Sequence, residues 1–260
     1  MKIFYKLKNI IRNRLKKSIL GRILLNAKST EKFNSICIVS ATRLSERDFW
    51  RKSALGQSLQ PKLINPMITA QIYYKNSYGL PKIFNTHLKD PDTSDIIIFI
   101  HDDVWLDDES WVEKIKLALQ KFDIVGVAGN TRISKYQPAW QIIKVGEKKY
   151  TWDNGYLSGG VATGQHRKGE IQMYGPTPAP CKLLGGMLLA VSKYRIQKEK
   201  VAFDEQFDFN FYDMDFCRTA HKAGLSMGTW PIALTHQSNG TFGTKKWEAD
   251  SETYFKKWRD

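Results

Sequence analysis

Apolar and polar positions along this chain fall into three regimes. In residues 1–28 apolar side chains return at every fourth position, at Ile3, Leu7, Ile11, Leu15, Ile19 and Ile23, with Lys or Arg between them. A step of four in a helix of 3.6 residues per turn drifts by about 40° each time. The pattern therefore predicts a basic amphipathic helix that bends or breaks near Gly21. From residue 35 onward short β-branched runs alternate with helical periods. SICIVSAT over 35–42, MITAQIYY over 67–74, and the runs 95–101 and 123–128 read as strands, whereas 46–59, 80–88 and 109–122 read as helices. Strands and helices alternating at this spacing predict βαβ units on a mostly parallel central sheet.

The third regime, residues 130–182, loses the alternation and becomes rich in Gly, Pro, Trp and Tyr, which predicts loops and a small hairpin rather than a separate domain. LLGGMLLAV over 183–191 is apolar again, with Gly185 and Gly186 where backbone or ligand approaches closely. A helix is expected over 211–223, stopped by Gly224, then a strand over 229–235 and a C-terminal helix over 247–258. Trp247, Tyr254, Phe255 and Trp258 fall on one side of that last helix and read as packing residues. The fold expected is α/β, with a basic arm over residues 1–30 and one domain over 31–260.

The formal charge of +14 suggests a nucleic-acid partner until it is mapped. Residues 1–28 carry nine Lys and Arg and no acid, and removing those nine charges leaves +5 for the rest. The strong charge belongs to the arm. A basic amphipathic helix suits either an anionic membrane surface, where each Lys or Arg contributes about 1 kcal/mol, or docking on the body or on a second subunit. The arm has no Gln, only three scattered Asn, and no stacking aromatics beyond Phe4 and Tyr5, so no nucleic-acid partner is expected. No window approaches the roughly 20 apolar residues that span a bilayer. Cys37, Cys181 and Cys217 are odd in number and lack C-x-x-C spacing, which reads as reduced thiols in a cytoplasmic protein held peripherally on the inner face of the cell membrane.

Three segments carry candidate chemistry. DIIIFIHDDVWLDDE over 95–109 is a buried strand that delivers His101, Asp102 and Asp103 to its carboxyl end, where α/β sheets place metal and phosphate sites. A diphosphate leaving group needs a hard divalent cation, Mn2+ or Mg2+, held by one or two carboxylates. Asp107, Asp108 and Glu109 are better explained as first-turn residues of the next helix. In FDFNFYDMDFCRTAHKAG over 207–224, Asp213 and Asp215 point about 200° apart on a helix and cannot share a task. One can face a cleft as general base while the other pairs outward, for example with Arg218. In LTHQSNGTFG over 234–243, His236 follows an apolar stretch and precedes a polar loop, which suits a metal ligand or a phosphate contact. His87, His166 and His221 have no such context.

With these segments in this order, residues 35–258 resemble a family 2 type nucleotide-sugar glycosyltransferase of the GT-A fold, in the branch whose Asp-x-Asp metal motif reads His-x-Asp. The resemblance implies a Rossmann-like domain with a nucleotide-binding half over 31–129 and an acceptor-binding half over 130–260. It implies Asp103 as metal ligand, His236 as a further one, Asp213 as catalytic base and Asp215 as its support. Thr42, Asn76 and Asn85, with NSYGLPKIFN over 76–85, match the family's nucleotide-binding segments. His101, Asp102, Gly185 and Gly186 match its donor-facing positions, and WDNGYLSGG over 152–160 lies among its acceptor-facing loops. The implied reaction is an inverting sugar transfer from a nucleotide-diphosphate donor to a glycan or lipid-linked acceptor, in surface polysaccharide or lipopolysaccharide synthesis. Two other readings stand beside it. A sugar-phosphate nucleotidyltransferase usually carries a Gly-rich loop after its first strand, and ATRLS over 41–45 has no Gly. A non-enzymatic basic binding module would depend wholly on the arm.

Overall fold

The structure, a computed structural model, describes residues 33–146, 149–237 and 242–259. The expected arm helix and its membrane contact lie outside the described residues. The chain begins with β1 (Ile36–Ala41) and two short helices, α1 (Glu46–Lys52) and α2 (Ala54–Leu59). The single helix expected over 46–59 is broken at Ser53, whose backbone is extended. Its hydroxyl donates to the Phe49 carbonyl that closes α1 and accepts from the Gly56 N–H that opens α2. Next come β2 (Ile68–Tyr73), α3 (Leu80–Lys89), β3 (Ile96–Ile100), β4 (Val104–Leu106), α4 (Trp111–Leu119), β5 (Ile124–Gly126) and β6 (Ala128–Asn130).

Residues 130–182, expected to be mainly loops, form strands instead. These are the hairpin β7 (Ile142–Lys144) and β8 (Tyr150–Trp152), then β9 (Leu157–Thr163), β10 (Glu170–Gly175) and β11 (Ala179–Cys181). Three of them are only three residues long, too short for a period to register, and β10 is exposed or half-buried throughout. The chain closes with β12 (Leu183–Leu184), β13 (Leu188–Ser192), α5 (Lys193–Lys198), α6 (Tyr212–Lys222), β14 (Met227–Thr229), β15 (Leu234–His236) and α7 (Lys245–Lys257). Gly224 ends α6 with a φ of +81°, as its sequence position implied.

A seven-stranded sheet runs in the order β11-β14-β5-β13-β3-β1-β2. β2, β1, β3, β5 and β14 share one direction, and β13 and β11 oppose them. Its centre is a dry layer: Ile36, Ile38, Val39, Ile96 to Ile100 and Leu188 to Val191 are at most 2% exposed. At about 25 cal/mol per Å² of apolar surface, burying that layer is a large favourable contribution to the fold. A second sheet orders β12-β6-β9-β15-β4, with β10 also on β9.

Several segments pass from the first sheet to the second or back. Among these, β3 hands over to β4 through His101, Asp102 and Asp103; β5 to β6 through Val127; β12 to β13 through Gly185, Gly186 and Met187; β14 to β15 through residues 230–233. The runs 123–128 and 229–235, each expected as one strand, are therefore each divided between the two sheets. The run 123–128, apolar and buried on both faces from Ile124 on, gives no sign of where it bends, whereas Pro231 marks the break in 229–235.

Candidate metal and transfer site

The crossing after β3 sits beside the crossing before β13, because the His101 N–H donates to the Met187 carbonyl at 3.1 Å. β4 pairs antiparallel with β15, setting Val104 opposite His236, and the Gln237 N–H donates to the Asp103 carbonyl at 3.0 Å. This pairing delivers the imidazole of His236 to Asp103, with Nε2 3.3 Å from Oδ1, while His101 Nδ1 lies 3.9 Å from the same oxygen. One donor atom from each of His101, Asp103 and His236 lies within 4.8 Å of the others. Ligands with bonds of about 2.2 Å to one ion lie at most about 4.4 Å apart, so a small closure suffices and the three could hold a divalent cation. Burial pushes the His101 pKa down to about 4, Asp103 pulling it back up and His236 adding to the fall. The imidazole is therefore neutral at ordinary pH, the form that ligates.

Asp102 faces a different partner. Burial raises its pKa, the Thr42 hydroxyl bonds the carboxylate and works against that rise, and Asp103 adds to it. A recess of about 60 Å³ opens here, lined by Ala41, Leu80, Asp102 and Asp103 and sharing His101 and Phe209 with a larger cavity. The Asn76 N–H donates to the Thr42 carbonyl, and the Asn76 side chain closes its own turn on Tyr78. Asn85, on α3, is 3% exposed, and its amide is engaged by Phe203 and Glu205. The expected nucleotide-side residues thus divide, Thr42 and Asn76 at the end of β1 and Asn85 behind it.

The larger cavity, of about 380 Å³, is lined by His101 and His236 on one side and by Gly186, Tyr212 and Asp213 on another. Asp213 accepts from the Gly186 N–H at 2.9 Å and from the Met214 N–H at 2.8 Å. Burial raises its pKa, with those two amides holding part of the rise back. A Cβ on Gly186 would stand 2.4 Å from the Tyr212 hydroxyl and 2.9 Å from the Asp213 Cβ, so only glycine fits between the crossing and α6. The Gly185 N–H donates to the Ala128 carbonyl, and a Cβ there would meet the Trp140 ring nitrogen at 2.8 Å.

Asp213 is aimed by an unusual turn. Phe211, just before α6, has a φ of 64°, a left-handed conformation costly for a bulky residue. Stacking on Tyr254 at 4.9 Å and a tilted contact with Trp247 at 5.2 Å hold it there. The aromatic face of α7 is core, as expected, yet it also shapes the site from behind. Asp215 diverges from Asp213 as the helical spacing required, but its cation is not Arg218. Fully buried, it accepts from the Trp258 ring nitrogen at 2.8 Å and pairs with Lys257 at 2.7 Å. Arg218 instead donates to the Ser134 carbonyl and faces the Tyr254 and Trp258 rings.

A second correction concerns Asp107, Asp108 and Glu109, which precede α4 and do not lie in its first turn. Asp107 accepts from Thr235 and Lys168 and pairs with Arg167. Asp108 accepts from the N–H groups of Ser110 and Ala233. Glu109 pairs with Lys62. Asp107 and Asp108 brace the loop across to β15 and so support the placement of His236. The sequence reading singled out neither Phe209, stacked on His101 at 5.7 Å, nor Trp140 and Tyr174, which form a wall with Trp152, the first residue of the expected acceptor-facing stretch. Besides that stretch, the abundance of Trp and Tyr in residues 130–182 was the signal for the wall.

No protein-family profile matches the chain, and no curated protein matches it. Among solved structures, it is similar to the catalytic domain of Drosophila β1,4-galactosyltransferase 7 in complex with xylobiose, at 11% identity over 84% of this chain and 79% of that one, with a TM-score of 0.43. It is similar to a mannosyltransferase from Pyrobaculum calidifontis in complex with GDP-mannose and Mn2+, at 12% identity over 98% of this chain and 73% of that one, with a TM-score of 0.44. A further similar structure is A197 from STIV, at 12% identity over 81% of this chain and 98% of that one, with a TM-score of 0.42.

Proposed function

We propose that this chain is a metal-dependent glycosyltransferase of the GT-A type that moves a sugar from a nucleoside-diphosphate donor to an acceptor hydroxyl with inversion. The observation that carries this reading is one cavity with His101 and His236 of the cation cluster on one wall and the buried carboxylate of Asp213 on another. Two imidazoles and one carboxylate suit Mn2+ better than Mg2+, which favours all-oxygen surroundings. A cation there would neutralise the charge that builds on the departing diphosphate.

The residues of the chain divide the remaining work. Asp103, His236 and His101 would hold the cation. Thr42, Asn76 and Asp102, at the carboxyl ends of β1 and β3, would meet the nucleotide, and Asn85 supports that wall by fixing residues 203–205. Gly185 and Gly186 leave room for the donor sugar. Asp213 takes the proton of the acceptor hydroxyl as its oxygen attacks the anomeric carbon and the bond to the diphosphate breaks. A raised pKa suits that role, because a stronger base accepts the proton more readily near neutral pH. Asp215 supports Asp213 by anchoring α6. Trp152 is 44% exposed and lies nearly parallel to Tyr174. Their ring faces, with Gln141 and Gln172 beside them, suit the C–H face and hydroxyls of a glycan acceptor. Residues 31–129 would thus serve the donor and 130–260 the acceptor. The basic arm fits an anionic inner membrane leaflet and a lipid-linked or surface-glycan acceptor, as in envelope polysaccharide or lipopolysaccharide assembly. No helix among the described residues is long and apolar enough to cross a membrane.

The test is a thermal-shift screen of nucleotide sugars with Mn2+, Fe2+, Mg2+ and no metal, followed by a transfer assay with the best donor. Asp213→Asn should bind the same donor and metal but transfer roughly 10²–10⁴-fold more slowly. Full transfer by that variant would refute the assignment.

A further inference from the structure

The side chain of Tyr212 is 2% exposed, and its hydroxyl makes two short contacts. It donates to the Gly186 carbonyl at 2.9 Å, and it lies 2.8 Å from His101 Nε2. A phenol has one proton, and a carbonyl can only accept. With that proton committed to Gly186, the hydroxyl can only accept from the imidazole, so Nε2 must carry the hydrogen. A neutral imidazole has a single N–H, which leaves Nδ1 bare, and Nδ1 is the atom that faces Asp103. We infer that Tyr212 is a positioning residue that fixes His101 in its Nε2–H tautomer and so reserves Nδ1 as the metal-ligating atom, an inference that rests on the cation site proposed above.

Two further features support the relay. Gly186 is the residue at which any side chain would displace the Tyr212 hydroxyl, since a Cβ would stand 2.4 Å from it. Phe209 stacks on the imidazole with planes 26° apart, so the ring is held from its face as well as from Nε2. The same Gly186 peptide is gripped at both ends, its carbonyl by Tyr212 and its N–H by Asp213. The chain position that orients the metal ligand is thus adjacent to the one that supplies the base, and both read one backbone unit. An imidazole can sit in this position and ligate only if its tautomer is set, because the wrong one would present a proton to the cation.

The experiment uses the full chain, free of metal and labelled with 15N-histidine, with the His101 signals assigned by their loss in His101→Gln. Long-range 15N–1H correlations should report Nε2–H for His101 in the wild type; Nδ1–H there would overturn the inference. Tyr212→Phe keeps the ring and removes the hydroxyl. It should lose the single tautomer and weaken Mn2+ binding, read by electron paramagnetic resonance, about 10–100-fold. Unchanged tautomer and Mn2+ affinity in that variant would overturn it as well. Asp103→Asn and His236→Ala separate the two claims: if neither weakens Mn2+ binding the cation site itself fails, whereas the tautomer result stands or falls on the metal-free spectrum.

Discussion

Replacing Lys257 with Met tests the support beneath the candidate base. Lys257 bridges Asp204 and the fully buried Asp215, two residues beyond Asp213 on α6. Removing one partner of a buried ion pair costs about 3–5 kcal/mol, because the other charge is left without compensation. The Lys257 side chain keeps 32% of its surface and Trp258 still donates to Asp215, which places the expected loss at the lower end, about 3 kcal/mol. For a chain of this size that is a fall in Tm of roughly 6–12 °C. The sign of the pH dependence follows from the direction of the Asp215 shift. Burial raises its pKa and Lys257 works against the rise. A raised folded value means that the contribution of Asp215 is fully present below its unfolded pKa, about 3.9, and is lost as pH rises through the folded one. Without Lys257 the folded value climbs further, so the loss on substitution should be largest at pH 8 and shrink towards pH 4.5. Urea denaturation at both values reads this, and a further Asp215→Asn change should recover most of the loss. An equal loss at both pH values, or one under about 0.5 kcal/mol, would refute the reasoning.

Three other outcomes follow from the same contacts. Gly186→Ala should cost about 1–3 kcal/mol by overpacking against Tyr212 and reduce transfer more than stability, whereas a variant of full activity would show that the crossing can yield. Asp153, 3% exposed, accepts from Asn130 and is paired twice by Arg132, so Asp153→Ala should destabilise by about 3 kcal/mol at pH 7. Burial pushes the Asp153 pKa up but Arg132 and Asn130 outweigh it; the stability it adds is present above about pH 4 and should disappear as pH falls through the lower folded value, and a wild-type curve parallel to that of the variant would contradict this. The acid limb of kcat/KM should lie above the pH at which an ordinary carboxyl titrates, about 3.9, because Asp213 must be ionised to act and burial raises its pKa; a limb at or below that value would remove Asp213 from the role.

Legibility in the sequence tracked the length and patterning of each element. β1, β2, β3, α3 and α6 were readable because each has at least five residues of one period with Ser, Pro or Gly at its ends. β5 and β6 were not separable, since Val127 between them is as apolar and as buried as its neighbours. The three-residue strands β7, β8 and β11 owe their existence to pairing partners and not to their own residues, and β10 pairs along β9 with Ile171 and Met173 facing outward. The acids at 107–109 invited a helix-start reading, and Ser110 with the true first turn at Trp111 displaced it by two residues.

The candidate site was half legible for a related reason. His101, Asp102 and Asp103 announce themselves because a wholly apolar strand ends in them, and a polar residue at that point has few structural alternatives. What completes the cluster is the register between β4 and β15, which places His236 opposite Val104. Each of those strands has three residues, so nothing local fixes their alignment. The alignment comes from Asp107 and Asp108, which tie the loop after β4 to Thr235 and to the Ala233 N–H. The acidic run therefore contributes to the cation site after all, through backbone placement and not through ligation. If that is right, Asp107→Asn and Asp108→Asn should weaken Mn2+ binding although neither carboxylate is a member of the cluster, and His236→Ala made on top of them should add less than it does alone, because coupled residues are not additive.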